Sequence, residues 1–304
     1  MFSSPEQVVD IPELNCKLRI KRDDLIPCYL GGNKVRKNTF IINSLKKKPD
    51  VIITNGGSES NHARVCALMA AQSGIHCHLI LHGNPVESEF LSGNKFFLDA
   101  TKCTVEYVSA ECISNRIDEC QKYYESLGNI VCVIPGGGHS IEGATAYVDA
   151  VNELENIPDY IFLASGTGAT HAGILAGVKS RGWSTKVVGI SVARMLPRGA
   201  KAVYELYEPL CQKYGLVPSE NDILFLDSYT FGGYGIYNKE LLDFIRNFIA
   251  LTGVPIDPTY TGKAMFALFD LIRNGTVSKN NNMLFWHTGG LLNLQTSKDI
   301  YDQD

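Results

Sequence analysis

Lys34 stands in the run Gly31-Gly32-Asn33-Lys34-Val35-Arg36-Lys37. An amine set behind glycines, just before a helical segment, is suited to attack a carbonyl and form an imine. It must first lose a proton, and the neighbouring cations Arg36 and Lys37 favour that loss. Alone, the run reads better as a glycine turn leading into a basic first helical turn. A second motif alters the balance. Gly166-Thr167-Gly168-Ala169-Thr170-His171-Ala172-Gly173 lies between a strand-like run and a helical one. Its amides, with the hydroxyls of Thr167 and Thr170, would converge on an anion. A dinucleotide fold would want glycine where His171 stands and an acidic residue ending the next strand, which instead runs to Arg194. The Gly-Lys-Ser/Thr ending of a P-loop is absent as well. An imine-forming lysine and a phosphate cradle together suit pyridoxal phosphate.

Three further segments carry polar groups to predicted element ends. Asn55-Gly56-Gly57-Ser58-Glu59-Ser60-Asn61-His62-Ala63-Arg64 opens a helix with Ser60 or Asn61 as its cap. Capping alone accounts for these residues; the functional reading is that Ser60, Asn61 and nearby amides bind a substrate carboxylate and the phenolic oxygen of a cofactor. Asp257-Pro258-Thr259-Tyr260-Thr261-Gly262-Lys263 and Phe285-Trp286-His287-Thr288-Gly289-Gly290 are the others. His76 and His78 share one side of a strand, but no third ligand follows at a usual spacing, so no metal is expected. No Gly-x-Ser-x-Gly elbow marks a serine hydrolase.

The elements that must position these residues follow from the alternation of short apolar runs with helix-length stretches. Strands are predicted at Val51–Thr54, His78–Leu81, Thr104–Val108, Val131–Ile134, Tyr160–Ala164, Val187–Ser191, Ile223–Leu226 and Met283–Trp286. Amphipathic helices are predicted over Ala63–Ser73, Asn115–Leu127, Thr145–Leu154 and Leu241–Leu251. Such alternation implies an α/β fold of parallel sheets covered by helices, with ligands beyond the strands' carboxyl ends. Pro135-Gly136-Gly137-Gly138 reads as an inter-lobe hinge. The 304 residues suffice for two domains or lobes. Net charge is −4, from 28 basic and 32 acidic residues, and the one basic tract, Lys46-Lys47-Lys48, reads as a solvated helix end. Nucleic-acid binding gains no support from that balance. Nine scattered cysteines, no leader after Met1 and no membrane-length apolar run together imply a cytoplasmic protein with its thiols reduced.

Lys21-Arg22-Asp23-Asp24, Gly31–Lys37, Gly56–Arg64, Gly166–Gly173, Asp257–Ala264 and His287–Gly290 recur in the order and spacing of one family. The chain resembles, over nearly its whole length, D-cysteine desulfhydrase and 1-aminocyclopropane-1-carboxylate deaminase, which have the tryptophan synthase β-like fold of type II pyridoxal phosphate enzymes. The resemblance implies a large cofactor-binding domain from residues 1–37 and 140–304, and a small domain from 38–139. It makes Lys34 the Schiff-base lysine and places Asn61 at the cofactor's phenolic oxygen. Gly166, Thr167, Gly168, Ala169 and Thr170 would hold the phosphate, with Thr261 or Thr288 near the pyridine nitrogen. Ser60 would lie at the substrate carboxylate and reacting carbon, with Tyr234 and Tyr260 flanking the substrate. It further implies a homodimer acting on a small amino acid.

Several residues depart from that pattern. Thr261 stands where the ring-opening deaminases carry glutamate. Without a carboxylate to keep the pyridinium protonated, the electron sink is weaker and suits loss of a good leaving group. α,β-Elimination from D-cysteine, giving pyruvate, ammonia and sulfide, is therefore the expected reaction. Ring opening of 1-aminocyclopropane-1-carboxylate, another small-amino-acid lyase activity and non-catalytic amino-acid sensing are the alternatives. Glu59 precedes Ser60 where many relatives carry an uncharged residue, often glutamine, so it must point away from the substrate carboxylate or serve an amine-bearing substrate. His139 interrupts a glycine-to-serine step; a substrate contact is open to it, but it reads first as an exposed loop residue. The N-terminus and the region around Leu81–Phe90 read as shorter than in relatives.

Overall fold

The computed structural model describes residues 2–83 and 93–295. The first part of the chain forms β1 (Glu6–Ile11), β2 (Cys16–Arg22), α1 (Asn33–Asn43), β3 (Val51–Gly57), α2 (Asn61–Ser73) and β4 (His76–His82). It continues with α3 (Gly93–Ala100), β5 (Thr104–Val108), α4 (Ile113–Ser126), β6 (Val131–Ile134), α5 (Ile141–Val151) and β7 (Tyr160–Ser165). The last part comprises α6 (Ala169–Ser180), β8 (Lys186–Ser191), α7 (Arg198–Lys213), β9 (Leu224–Leu226), α8 (Lys239–Thr252), α9 (Thr261–Arg273) and β10 (Met283–His287).

The strands make two sheets. One has six strands in the order β1-β2-β10-β7-β8-β9, the other four in the order β5-β4-β3-β6. Among the described residues, only β1 and β2 pair antiparallel. Parallel strands are joined by helices that must cover the sheet, and both faces of the larger sheet are covered accordingly. Phe162, Ile190 and Phe285 pack with Leu241, Ile245 and Leu268 of α8 and α9 on one face. Leu163 and Trp286 pack with Tyr147, Ile174 and Leu206 of α5, α6 and α7 on the other. The smaller sheet lies between α2, through Ala63 and Ala67, and α4, through Cys120.

β3 to β10 coincide with the predicted strands, whereas β1 and β2 carry no apolar run to mark them. In β2, Leu18 and Ile20 enter the core while Lys17, Arg19 and Lys21 alternate with them. Lys21 is nevertheless buried, because its ammonium donates to Ser4 O at 2.6 Å and meets Glu153 at 2.9 Å. β3 runs on through Asn55-Gly56-Gly57, expected as a loop, because β4 continues the ladder to the pair Gly57–His82. The stretch around Leu81–Phe90 lies mostly outside the described residues. All nine cysteines are free, and five of them are buried. No helix among the described residues is long and apolar enough to cross a membrane.

Candidate active site

Parallel strands aim their carboxyl ends at one edge, and those of β3, β6, β7, β8 and β10 border a single 580 Å³ cavity between the sheets. Lys34 lies in the first turn of α1 and lines this cavity. The turn is tied down by its backbone. Asn33 N donates to Thr288 O at 3.0 Å, and Gly32 N to Asp23 O at 2.7 Å. Gly32 has φ +93°, and a Cβ there would stand 2.9 Å from Thr288 O, so only glycine lets the two backbones pass this closely.

Burial, with no carboxylate beside it, pushes the Lys34 amine down to about 8. The source differs from the sequence expectation. Arg36 points out of the site, its buried guanidinium held by Asp23 at 2.9 Å and Glu153 at 2.6 Å. Lys37 does face the cavity, because residues three apart share a helix face. Its amine donates to Gly137 O at 2.5 Å, and burial together with adjacent Lys34 lowers it well below the usual lysine range. Sequence reading treated Lys37 only as a neighbouring charge, although its i+3 spacing from Lys34 was the available signal.

β7 ends at Ser165, and the glycine loop leads into α6. Gly166, Thr167, Gly168 and Thr170 line the cavity, as do Lys34, Ser60, Asn61, Tyr234, Tyr260 and Thr288. Ala169 does not, since its side chain packs into the core beneath α6. Asn33 Nδ2 donates to Thr170 Oγ1 at 3.1 Å, binding the lysine turn to the loop. Arg194 Nη1 donates to Thr167 O at 3.2 Å from the end of β8. His139 is no exposed loop residue. It lines the same end of the cavity, and burial, with Lys37 and Arg194 nearby, lowers its basicity. Pro135, Gly136 and Gly137 likewise form cavity wall.

Ser60 caps α2, its Oγ accepting from Ala63 N at 3.2 Å. Asn61 donates one amide hydrogen to Asn293 at 2.7 Å, which leaves the second for a cavity ligand. Tyr234 and Tyr260 share a 2.5 Å hydrogen bond between hydroxyls, their rings edge-to-face at 5.7 Å. Lys263, unnoticed as a functional residue in the sequence, holds the Tyr234 loop. From α9 its buried ammonium donates to Thr230 O at 2.8 Å, Gly233 O at 2.6 Å and Val192 O at 3.3 Å.

The two departures at Thr261 and Glu59 resolve differently. Thr261 is turned inward: Oγ1 donates to Asp257 Oδ1 at 2.7 Å and accepts from Asp257 N at 2.9 Å. It does not line the cavity, whereas Thr288 does. Glu59 is also outside the lining, with Oε1 3.4 Å from the Lys95 amine on α3. Among the described residues, no carboxylate lines the cavity at all.

A phosphorylated aldehyde fits these groups. Two buried amines with no carboxylate beside them suit an aldehyde and an anion, and Ser165 Oγ sits buried at the wall with no hydrogen-bond partner. A family model described as pyridoxal-phosphate dependent enzyme matches residues 4–289. An ACC deaminase homologue of known structure is 32% identical over 96% of this chain and 91% of its own, with a TM-score of 0.86. A hydrogen sulfide-producing enzyme from Fusobacterium nucleatum shares the fold at 14% identity and a TM-score of 0.67, covering 94% of this chain and 95% of its own. Threonine deaminase isoform 2 from Solanum lycopersicum does so at 16% and 0.66, covering 99% and 88%.

Proposed function

The chain belongs to the pyridoxal-phosphate dependent enzyme family, and from that premise we propose that it catalyses α,β-elimination on a small amino acid, D-cysteine foremost. Its fold is tryptophan synthase β-like, and its cofactor is pyridoxal 5'-phosphate. When bound, the cofactor supplies an electron sink that acidifies the substrate's α-hydrogen. The observation that carries the choice of reaction is the cavity lining without a carboxylate among the described residues. Thr288 then offers the pyridine nitrogen a hydroxyl in place of an anion, and the resulting weak sink suits expulsion of a thiolate.

Each residue has a task in this reading. Lys34 anchors the cofactor and, as a neutral amine, takes the α-proton at Nζ. Lys37 and the loop from Gly166 to Thr170 hold the phosphate. Ser60, at the head of α2, binds the substrate carboxylate, helped by the positive end of the helix. Asn61 donates its free amide hydrogen to the phenolic oxygen. The Tyr234–Tyr260 pair closes over the substrate and gives the departing sulfur its proton. Loss of hydrogen sulfide leaves an aminoacrylate, which water converts to pyruvate and ammonia. Glu59, held by Lys95, leaves the carboxylate subsite free of a competing anion.

Ring opening of 1-aminocyclopropane-1-carboxylate is the second reading, supported by the 32% identical ACC deaminase homologue. A pyruvate and sulfide assay of the holoenzyme on both compounds, with Lys34→Ala as control, separates the two. Pyruvate from D-cysteine with stoichiometric sulfide is the expected result. Pyruvate or 2-oxobutanoate formation confined to other substrates refutes D-cysteine, and cofactor binding without turnover of any amino acid points to the sensing alternative.

A further inference from the structure

At the opposite end of β4 from the cavity, three metal-binding side chains come together that the sequence keeps apart. His78 leaves β4 and Glu106 leaves β5, two positions out of direct register (Ile80 pairs with Glu106), so both project from one face of the sheet. Cys120 reaches that face from α4, whose Ile117 and Tyr124 also pack there. His78 Nε2 lies 2.5 Å from Glu106 Oε1, Cys120 Sγ 3.3 Å from the same oxygen and 3.9 Å from His78 Nε2. His78 and Cys120 are both buried, and Glu106 is open enough to admit an ion.

We propose that His78, Glu106 and Cys120 bind a zinc ion that clamps α4 to the β4–β5 edge. Imidazole, carboxylate and thiolate together form a donor set suited to zinc. A tetrahedral ion needs neighbouring ligand atoms about 3.3–3.5 Å apart, so the His78–Glu106 contact must open and the Cys120–His78 separation close slightly, both by side-chain rotation. The outer contacts already orient the ligands. Tyr124 OH lies 3.1 Å from His78 Nδ1, which leaves Nε2 for the metal, and Arg116 Nε holds the other Glu106 oxygen at 2.8 Å. His76 Nε2 meets the same Tyr124 hydroxyl at 3.0 Å and Thr104 Oγ1 at 3.2 Å. The Cys120 thiol, pushed up to about 11 by burial and Glu106, releases its proton to solvent as the sulfur–zinc bond forms. His76 to His82 spans the strand, so the ion would stand roughly 13 Å or more from the catalytic cavity and act on stability.

The holoenzyme is dialysed against buffered zinc, and bound metal is counted in wild type, Cys120→Ser, His78→Gln and Cys112→Ser. The expected result is one zinc per chain in wild type and in Cys112→Ser, whose thiol is exposed and outside the cluster. Affinity should fall about a hundredfold in Cys120→Ser and His78→Gln, and X-ray absorption should give one sulfur at about 2.3 Å. Retained cofactor absorbance certifies folding of each variant, and Glu106→Gln replaces any that fails. Metal content equal in wild type and all ligand variants, no bound zinc in wild type, or a zinc shell without sulfur each overturn the proposal.

Discussion

An ordinary lysine is neutral in only about one molecule in three thousand at pH 7, whereas Lys34, pushed to about 8, is neutral in roughly a tenth. The shift is downward and the reactive form is the free base, so reactivity grows as pH rises towards 8 and levels off above it. Recombination of cofactor-free protein with pyridoxal phosphate should therefore accelerate about tenfold per pH unit below 8; stopped-flow absorbance reads this, and a rate flat across pH 6–8 would contradict it. Lys34→Ala should bind cofactor without forming the covalent chromophore. The two threonines make a sharper contrast. Thr261→Val removes the hydroxyl donor to the Asp257 carboxylate and the acceptor of the Asp257 amide, and should cost about 1–3 kcal/mol of stability. Thr288→Val should leave stability nearly unchanged but alter cofactor absorbance and kcat. Denaturant titration beside steady-state kinetics checks both. Residue types were legible at this scale and orientations were not: nothing in the local sequence reveals that Thr261 turns to Asp257, or that Arg36 turns from the site to Asp23.

Elements explain where those orientations come from. The functional segments were visible because each sits at a strand-to-helix junction, where glycines and capping residues punctuate the apolar pattern. β1 and β2 were not visible because charged residues interrupt their apolar alternation, and the buried one, Lys21, is neutralised by Glu153 far along the chain. α2 shows how one residue serves two ends. Ser60 Oγ caps the helix, and Gly56 leaves room for it, since a Cβ at Gly56 would lie 2.6 Å from that oxygen. Ser60→Ala should thus lose about 1 kcal/mol of stability from the cap alone, with a separate rise in KM if the hydroxyl meets the substrate carboxylate. The loop carrying Tyr234 depends on Lys263 in the same way. Lys263→Met keeps the aliphatic stem and removes the donor to three carbonyls, so the loop loosens without leaving a cavity. A fall in kcat/KM of about tenfold, on the scale of one charged hydrogen bond, is expected. Unchanged kinetics would show that Tyr234 is held by Tyr260 alone.

Across the whole molecule, the cavity exists because α1 is fixed to both the large sheet and the glycine loop, and one buried carboxylate joins these parts. Asp23 accepts from Ser4 Oγ at 2.7 Å, Arg36 Nε at 2.9 Å, Tyr147 OH at 2.6 Å and Trp286 Nε1 at 2.9 Å. Those donors belong to the N-terminal segment, α1, α5 and β10, which sequence reading could not connect because they span positions 4 to 286. Its backbone adds another tie, since Asp23 O accepts from Gly32 N beside Lys34. A charge so enclosed is stabilising only while its partners remain, and removing one side strands the other in a region without water. Asp23→Asn changes little in volume yet leaves the Arg36 charge balanced by Glu153 and not by Asp23, and turns an amide NH₂ towards donors. Unfolding free energy should fall by about 3–5 kcal/mol. Because the same contact sets the height of the Lys34 turn, cofactor absorbance should be lost together with the native fluorescence in a denaturant titration. Cofactor release well before unfolding would instead mean that Asp23 positions the lysine turn without governing the stability of the fold.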